Sequence, residues 1–459
     1  MEKKNCFALY NEEERAQMEN TAALYRKFLS DCKTERECVR EIVRQAEEKG
    51  YRNMEDVIAE GGKLAEGDKV YMVCMKKAVA LFRIGKKPLT EGMNILGAHI
   101  DSPRLDIKQN PLFEDGELAF LDTHYYGGIK KYQYVTLPLA LHGTIVKKDG
   151  TSIDINIGEK EGDPVFCVTD LLIHLAQEQM QKKGAVVVEG EDLNILIGNE
   201  ALAGTEKEAV KANVLKLLKE QYDIEEEDFI SAEIEAVPAG AAREAGFDRS
   251  MILSYGQDDR VCAYTSLKAM LEVEETEKTS CCLFVDKEEI GSVGATGMES
   301  RFFENTVAEL MLLTGEYSEI NLRRALQRSR MLSSDVNAGF DPAYASAFEK
   351  KNASFLSHGL VFNKFTGARG KSGSNDANAE YLADLRRIMD DNGVHYQTAE
   401  LGKVDIGGGG TIAYILALYG MEVIDSGVAV LSMHAPWEVT SKADIYEAEK
   451  GYRAFLLYA

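Results

Sequence analysis

Long apolar runs are missing from this chain. No stretch approaches the roughly 18–20 consecutive apolar residues that span a bilayer, so a membrane protein is not expected. Basic charge is in deficit. The sequence has 53 Lys and Arg against 76 Asp and Glu, a formal net charge of −23. A surface of that sign repels phosphates, which argues against nucleic acid as the main partner. Cysteine is scarce and scattered: the eight residues form neither a zinc-finger spacing nor a disulfide framework, and Cys281-Cys282 sit together inside an apparent strand. That usage suits a reducing cytoplasm. There is no internal repeat and no low-complexity tract. The first residues, Met1-Glu2-Lys3-Lys4-Asn5, lead into acidic residues instead of an apolar signal core, so export is not expected and a cytoplasmic location is.

What remains is the composition of a globular protein, 45% hydrophobic and 28% charged, and 459 residues suffice for two domains with sizeable cores. The clusters Glu12-Glu13-Glu14 and Glu225-Glu226-Glu227-Asp228 read as solvated faces or turns. Residues 11–50 carry helical periodicity, and Tyr71–Phe82 and Asn94–His99 read as strands. From about residue 107 the texture turns to short alternating stretches, with Asp149-Gly150 a hairpin turn and Asp170–Gln181 a helical interruption. Residues 107–245 are therefore expected to form a β-rich domain inserted into a discontinuous one, 1–106 and 246–459. In the latter, apolar strands (Cys281–Val285, Val428–His434) alternate with helices (Arg260–Leu271, Thr306–Leu313, Ile320–Ser329, Tyr381–Asn392, Gly410–Tyr419, Asp444–Tyr458). The fold class expected is α/β, a mostly parallel central sheet flanked by helices.

Five corners carry chemistry. Gly97-Ala98-His99-Ile100-Asp101 follows a buried apolar run and places His99 and Asp101 on one face of the chain. A metal-bound imidazole needs a carboxylate or carbonyl to fix its orientation. Gln257-Asp258-Asp259-Arg260 opens a helix, where an aspartate either caps the helix or bridges two metal ions through its two oxygens. Asp286-Lys287-Glu288-Glu289 follows a strand, at the end of a sheet where sites collect. Of two neighbouring glutamates, one can bind metal while the other stays free as a general base. Ser333-Ser334-Asp335 supplies a further acid, and Leu431-Ser432-Met433-His434 mirrors the first corner. Only seven histidines are present, and two of them fall at such corners. Two imidazoles and three carboxylates can hold two metals with positions left for water and substrate. Mixed nitrogen and oxygen ligation without cysteine suits zinc, with cobalt or manganese as substitutes.

In this order and spacing, the series closely resembles the aspartyl aminopeptidase family of di-zinc exopeptidases, along nearly the whole chain. The strongest pieces are Gly97–Pro103, Asp286–Ser292 and Leu431–His434; Tyr126-Gly127-Gly128, Leu172-Ile173-His174-Leu175-Ala176 and Gly410-Thr411-Ile412 support them. The resemblance implies a fold of the zinc exopeptidase type and two zinc ions per subunit. Their ligands would be His99, Asp258, Glu289, Asp335 and His434, with Asp258 bridging. It implies Glu288 as general base, Asp101 as the partner that orients His99, and peptide substrates with acidic N-termini. It also implies that the inserted domain is a dimerisation domain, with dimers assembling to a dodecamer. An acid-reading pocket needs a cation, and Lys364, Arg369, Lys371 and Arg260 are the candidates; His174 keeps a motif that some relatives lend to a neighbouring subunit's site.

The chain also departs from better-known members. Ile129-Lys130-Lys131 replaces tryptophans, Gln257-Asp258-Asp259-Arg260 stands for Leu-Asp-Asn-Leu, and Val336-Asn337-Ala338 stands for a histidine-bearing segment. Gly370-Lys371-Ser372 imitates the end of a phosphate-binding loop, but the glycine required five residues earlier is Phe365. Gly407–Gly410 could cradle an anion or simply permit a tight turn. Rival readings are an aminopeptidase or dipeptidase of neutral specificity, a deacetylase on the same core, or a non-catalytic scaffold or cargo protein that keeps the fold.

Overall fold

The computed structural model describes residues 4–368 and 374–459. The chain divides into two compact units, one of Met1–Asp101, Ala242–Met433 and Glu438–Ala459, the other of Ser102–Ala241 and His434–Trp437. The sequence-based boundaries of 107 and 245 thus differ by a few residues, and the excursion His434–Trp437 has no compositional signal.

The first unit is built on a nine-stranded sheet. Its strands run in the order Arg52–Asn53, Lys69–Cys74, Ala78–Arg83, Thr279–Val285, Met93–His99, Arg330–Ser333, Glu422–Gly427, Leu360–Asn363, Tyr396–Ala399. The central four, Thr279–Val285 through Glu422–Gly427, are parallel to their neighbours, whereas Ala78–Arg83 and Leu360–Asn363 pair antiparallel on either side. The sheet is therefore mixed, with a parallel centre. Every residue of Met93–His99 and Thr279–Val285 is buried, as strands covered on both faces require. Alternate residues divide between two cores. Leu96, Ala98, Cys282 and Phe284 face the side covered by helices Glu12–Asp31, Gln257–Glu272 and Lys442–Tyr458. Ile95, Cys281, Leu283 and Val285 face helices Phe302–Thr314 and Glu319–Gln327. Helix starts follow their sequence signals: Asn11 and Thr34 each accept an N–H three residues on, with Glu14 and Glu37 returning the bond.

Two expectations fail in this unit. The strand read as Val428–His434 is only Ala429–Leu431, and it belongs to a separate five-stranded sheet with Glu438–Ser441 and Met251–Ser254. His99 and His434 thus do not end strands of one sheet. Gly410–Tyr419 shrinks to a helix of five residues, Ala413–Ala417, because four glycines precede it.

The second unit is a seven-stranded sheet, antiparallel throughout, in the order Ser152–Ile157, Leu139–Val146, Ala232–Pro238, Arg104–Asp115, Leu118–Tyr126, Ile195–Gly198, Cys167–Val168. Asp149 and Gly150 make the turn between its first two strands; Gly150 takes φ +88°. Asp170–Gln181 is no α-helix: it forms turns ending in the 3-10 segment Gln179–Gln181. Leu171, Leu172, Ile173 and Leu175 there are 47–68% exposed, so no apolar face is buried to support a helix.

Leu283 is fully buried at the centre of the parallel strands. Leu283→Ala should cost about 2–5 kcal/mol, read as a lower midpoint in chemical denaturation of the first unit's signal. An unchanged midpoint would contradict this account of the core.

Candidate active site

Three neighbouring parallel strands deliver the site at their carboxyl ends, where α/β sheets place ligands. Met93–His99 pairs with Thr279–Val285 so that His99 lies opposite Val285, and with Arg330–Ser333 so that Gly97 lies opposite Ser333. The residues just beyond, Asp101, Asp286–Glu289 and Ser334–Asp335, must therefore emerge side by side. Two backbone bonds continue the ladder: Ile100 N–H donates to the Val285 carbonyl at 2.9 Å, and Ser334 N–H to the Gly97 carbonyl at 2.6 Å.

Asp101 is fully buried and does two things. Its carbonyl and one carboxylate oxygen lie 3.0 and 3.3 Å from His99 Nδ1. Its two carboxylate oxygens accept the N–H groups of Glu288 and Glu289 at 3.2 and 3.1 Å. One side chain thus fixes both the imidazole and the turn that carries the two glutamates. That turn is tight: Lys287 and Gly291, at φ +70° and +95°, flank the 3-10 segment Glu288–Ile290.

Asp258 comes from the start of the helix Gln257–Glu272, where Asp258 and Asp259 have non-helical backbone angles and a cis peptide bond between them. Glu438 holds this corner, its carboxylate accepting the Gln257 and Asp258 N–H groups at 2.7 and 3.1 Å. Asp258 Oδ1 lies 3.1 Å from His99 Nε2. The donor atoms of His99, Asp258 and Asp335 all fall within 4.8 Å of one another, as do those of His99, Glu288 and Glu289.

The acids crowd one another around a single imidazole. Burial, then Asp259, Glu288 and Asp258, push the Asp335 carboxyl well above the usual carboxylate range, with His99 opposing. Burial and Asp258 do the same to Asp259, neither of whose oxygens has a hydrogen-bond partner among the described residues. For His99 burial would lower the pKa, yet bonds to Asp101 and Asp258 hold it well above the ordinary imidazole value. Hard carboxylates and an imidazole, buried together, are a donor set that fits zinc.

Gly427 makes room for this corner. A Cβ there would lie 1.9 Å from the Asp335 carbonyl oxygen and 2.6 Å from its carbon.

His434 belongs to the second unit, where its Nδ1 lies 2.9 Å from the Gly128 carbonyl. His174 is exposed in the turns of that unit. Lys364 is exposed, with its ammonium 5.0 Å from the ring centre of its neighbour Phe365. Arg260 is not a pocket cation: it is fully buried, donating to the Lys33 carbonyl at 2.9 Å and lying 5.3 Å from the Tyr255 ring. Its side chain leaves the site because the regular helix begins at this residue and turns it into the core. Arg369 and Lys371 lie outside the described residues. Sequence reasoning missed Glu438, and it named Asp259 and Asp286 within their corners without giving either a role. Asp286 accepts from Thr296 Oγ1 at 2.6 Å, and burial, then Glu35 and Asp101, push it up to about 6. Asp286 directly follows the apolar strand Thr279–Val285, which is a local signal; Glu438 has none, because it acts on a corner distant in sequence.

Residues 28–456 match the family described as aminopeptidase I zinc metalloprotease, M18. The chain belongs to this family. It is 62% identical to the probable M18 family aminopeptidase 1 of Clostridium acetobutylicum over 99% of its own length and 98% of the relative's. Its fold superposes on a crystal structure of an M18 aminopeptidase from Thermotoga maritima with TM-score 0.95 at 46% identity, covering 100% of both chains. Aminopeptidase I from Clostridium acetobutylicum gives 0.93 at 61% identity, covering 99% of each. At 19% identity the S. cerevisiae mApe1 dodecamer structure shares the fold, with TM-score 0.76 and 97% of each chain covered. The M18 chain is accordingly a zinc metallo-aminopeptidase, which sets aside the scaffold reading. No helix among its described residues is long and apolar enough to cross a membrane.

Gly427→Ala should displace Asp335 and weaken zinc binding by roughly tenfold or more, measured by competition with a chromogenic chelator. Wild-type affinity in a folded variant would show that the close approach does not position Asp335 for metal.

Proposed function

We propose that the protein removes N-terminal residues from peptides at two zinc ions held by His99, Asp258, Glu289, Asp335 and His434, with Asp258 bridging. The observation that carries this reading is the buried group His99, Asp258 and Asp335, whose acids repel one another beside an imidazole already oriented by Asp101. Bound zinc would polarise the scissile carbonyl and make water a nucleophile at neutral pH.

The chain's own residues supply the rest. Glu288 stands next to the ligand Glu289 and is itself not a ligand in this assignment. It takes the proton of the attacking water and hands it to the leaving amine. Asp101 keeps the His99 ring in place and, through its two bonds to backbone N–H groups, sets where Glu288 and Glu289 project. The site's carboxylates hold the substrate's terminal ammonium, which limits cleavage to one residue from the end.

Acidic selectivity, which the family resemblance implies, would need a cation facing the substrate's first side chain. Lys364 and Arg260 are turned to other partners.

Assembly through the unit Ser102–Ala241 into dimers and then a dodecamer completes the reading. The exposed Leu172, Ile173 and Leu175 support it, since apolar side chains clustered on a surface favour a partner. His174, in the same run, would serve the site of a neighbouring subunit.

Glu288→Gln should retain bound zinc and the fold while turnover falls by about two to four orders of magnitude, because an amide cannot accept the water's proton. Elemental analysis and aminoacyl p-nitroanilide hydrolysis would be compared with wild type. Near wild-type turnover would remove Glu288 from the role.

A further inference from the structure

A cavity of about 260 Å³ opens beside the ligand Asp335 within the first unit. Its wall includes the apolar side chains Phe365, Leu401 and Val404 and the carboxylates of Asp425 and Glu400. Burial gives it a direction. Lys403 and Val404 are exposed and mark the rim; Glu400 is half-buried; Asp425 is 1% exposed and marks the inner end.

Asp425 is the unusual member. It lies on Glu422–Gly427 opposite Ser333, and its Oδ1 accepts from Ser333 Oγ at 3.0 Å. Among the described residues its Oδ2 has no hydrogen bond of ordinary geometry, while the Thr411 and Thr366 hydroxyls stand near the carboxyl. Burial pushes its acid form up to about 7, against the nearby hydroxyls of Thr411, Ser333 and Thr366. A buried carboxylate oxygen without a bond is costly, and a cation entering the cavity would relieve that cost.

The lining suits one class of side chain. Apolar walls match a four- or three-carbon stem, and a carboxylate at the closed end matches an ammonium or guanidinium tip. An acidic side chain would instead bring its charge towards Asp425 and Glu400. Lys403 is the one lysine among the described lining residues, and it stands at the rim. We infer that this cavity receives the side chain of the substrate's N-terminal residue and selects a cationic one, lysine or arginine, through Asp425 at its inner end and Glu400 on its wall. This rests on the aminopeptidase reading above and departs from the acidic preference.

The test uses the zinc-loaded full chain and three p-nitroanilides, of lysine, norleucine and aspartate. Norleucine keeps the stem of lysine without its charge. The lysyl substrate should exceed the norleucyl one in kcat/KM by roughly ten- to a hundredfold, the span of one charge-assisted bond, with the aspartyl substrate last. Asp425→Asn and Glu400→Gln should each lower the lysine-to-norleucine ratio about tenfold. Should Asp425→Asn fail to fold, the Glu400→Gln variant and the wild-type profile still decide. Equal rates for lysine and norleucine, a preference for aspartate, or variants that lower both substrates equally would overturn the inference. Calorimetry with lysinamide and norleucinamide separates it from the peptidase reading. Tighter lysinamide binding without any turnover would leave the cavity's selectivity standing and the peptidase reading fallen. Turnover with acidic selectivity would do the reverse.

Discussion

Carboxylates buried together raise one another's pKa and cost folding free energy unless something positive joins them. This protein buries Asp258, Asp259 and Asp335 around one imidazole, with Glu288 and Glu289 half-buried beside them. The rest of the first unit can be understood as the means of holding that arrangement. Three parallel strands in fixed register bring the acids to one edge; Asp101 ties the histidine corner to the glutamate corner; Glu438 pins the start of the aspartate helix; Gly427 lets a neighbouring strand approach Asp335. Each contact spends stability on geometry, as sites prepared for a metal do.

That preparation explains a division of roles among chemically alike residues. Asp101 is as buried as the proposed ligands, yet its oxygens are engaged with backbone N–H groups, which suits the organising role proposed for it. Asp425 lies two strand positions before Gly427 and lines the cavity that Asp335 also borders, where we infer that it bears on side-chain selection. Position relative to the strand ends, not residue type, sets which partners each acid meets.

Much of the first unit was legible in the sequence because its signals are local. An apolar run followed by an acid or histidine marks the end of a buried strand, and the strand ends at His99, Val285 and Ser333 were legible that way. The failures have physical causes too. His434 looked like a strand end because the apolar run Val428–Met433 continues to it, but the strand stops at Leu431 and the chain leaves for the second unit. Asp170–Gln181 has helical periodicity with no surface of its own chain to bury against, and periodicity alone does not make a helix. Arg260 looked available beside Asp258, yet a helix turns each residue by about 100°, which sends it into the core. Asp425 and Glu438 act through pairing between strands distant in sequence, which no local pattern encodes.

The central claim is that the buried acid cluster is a two-zinc centre. The most direct test is the zinc stoichiometry of the chelated and then reconstituted protein, followed by calorimetric titration with peptidase activity read at each step. The account predicts saturation at two zinc ions per chain, with full turnover only when both are bound. Saturation at a single ion with full turnover, or turnover that survives complete removal of metal, would contradict it.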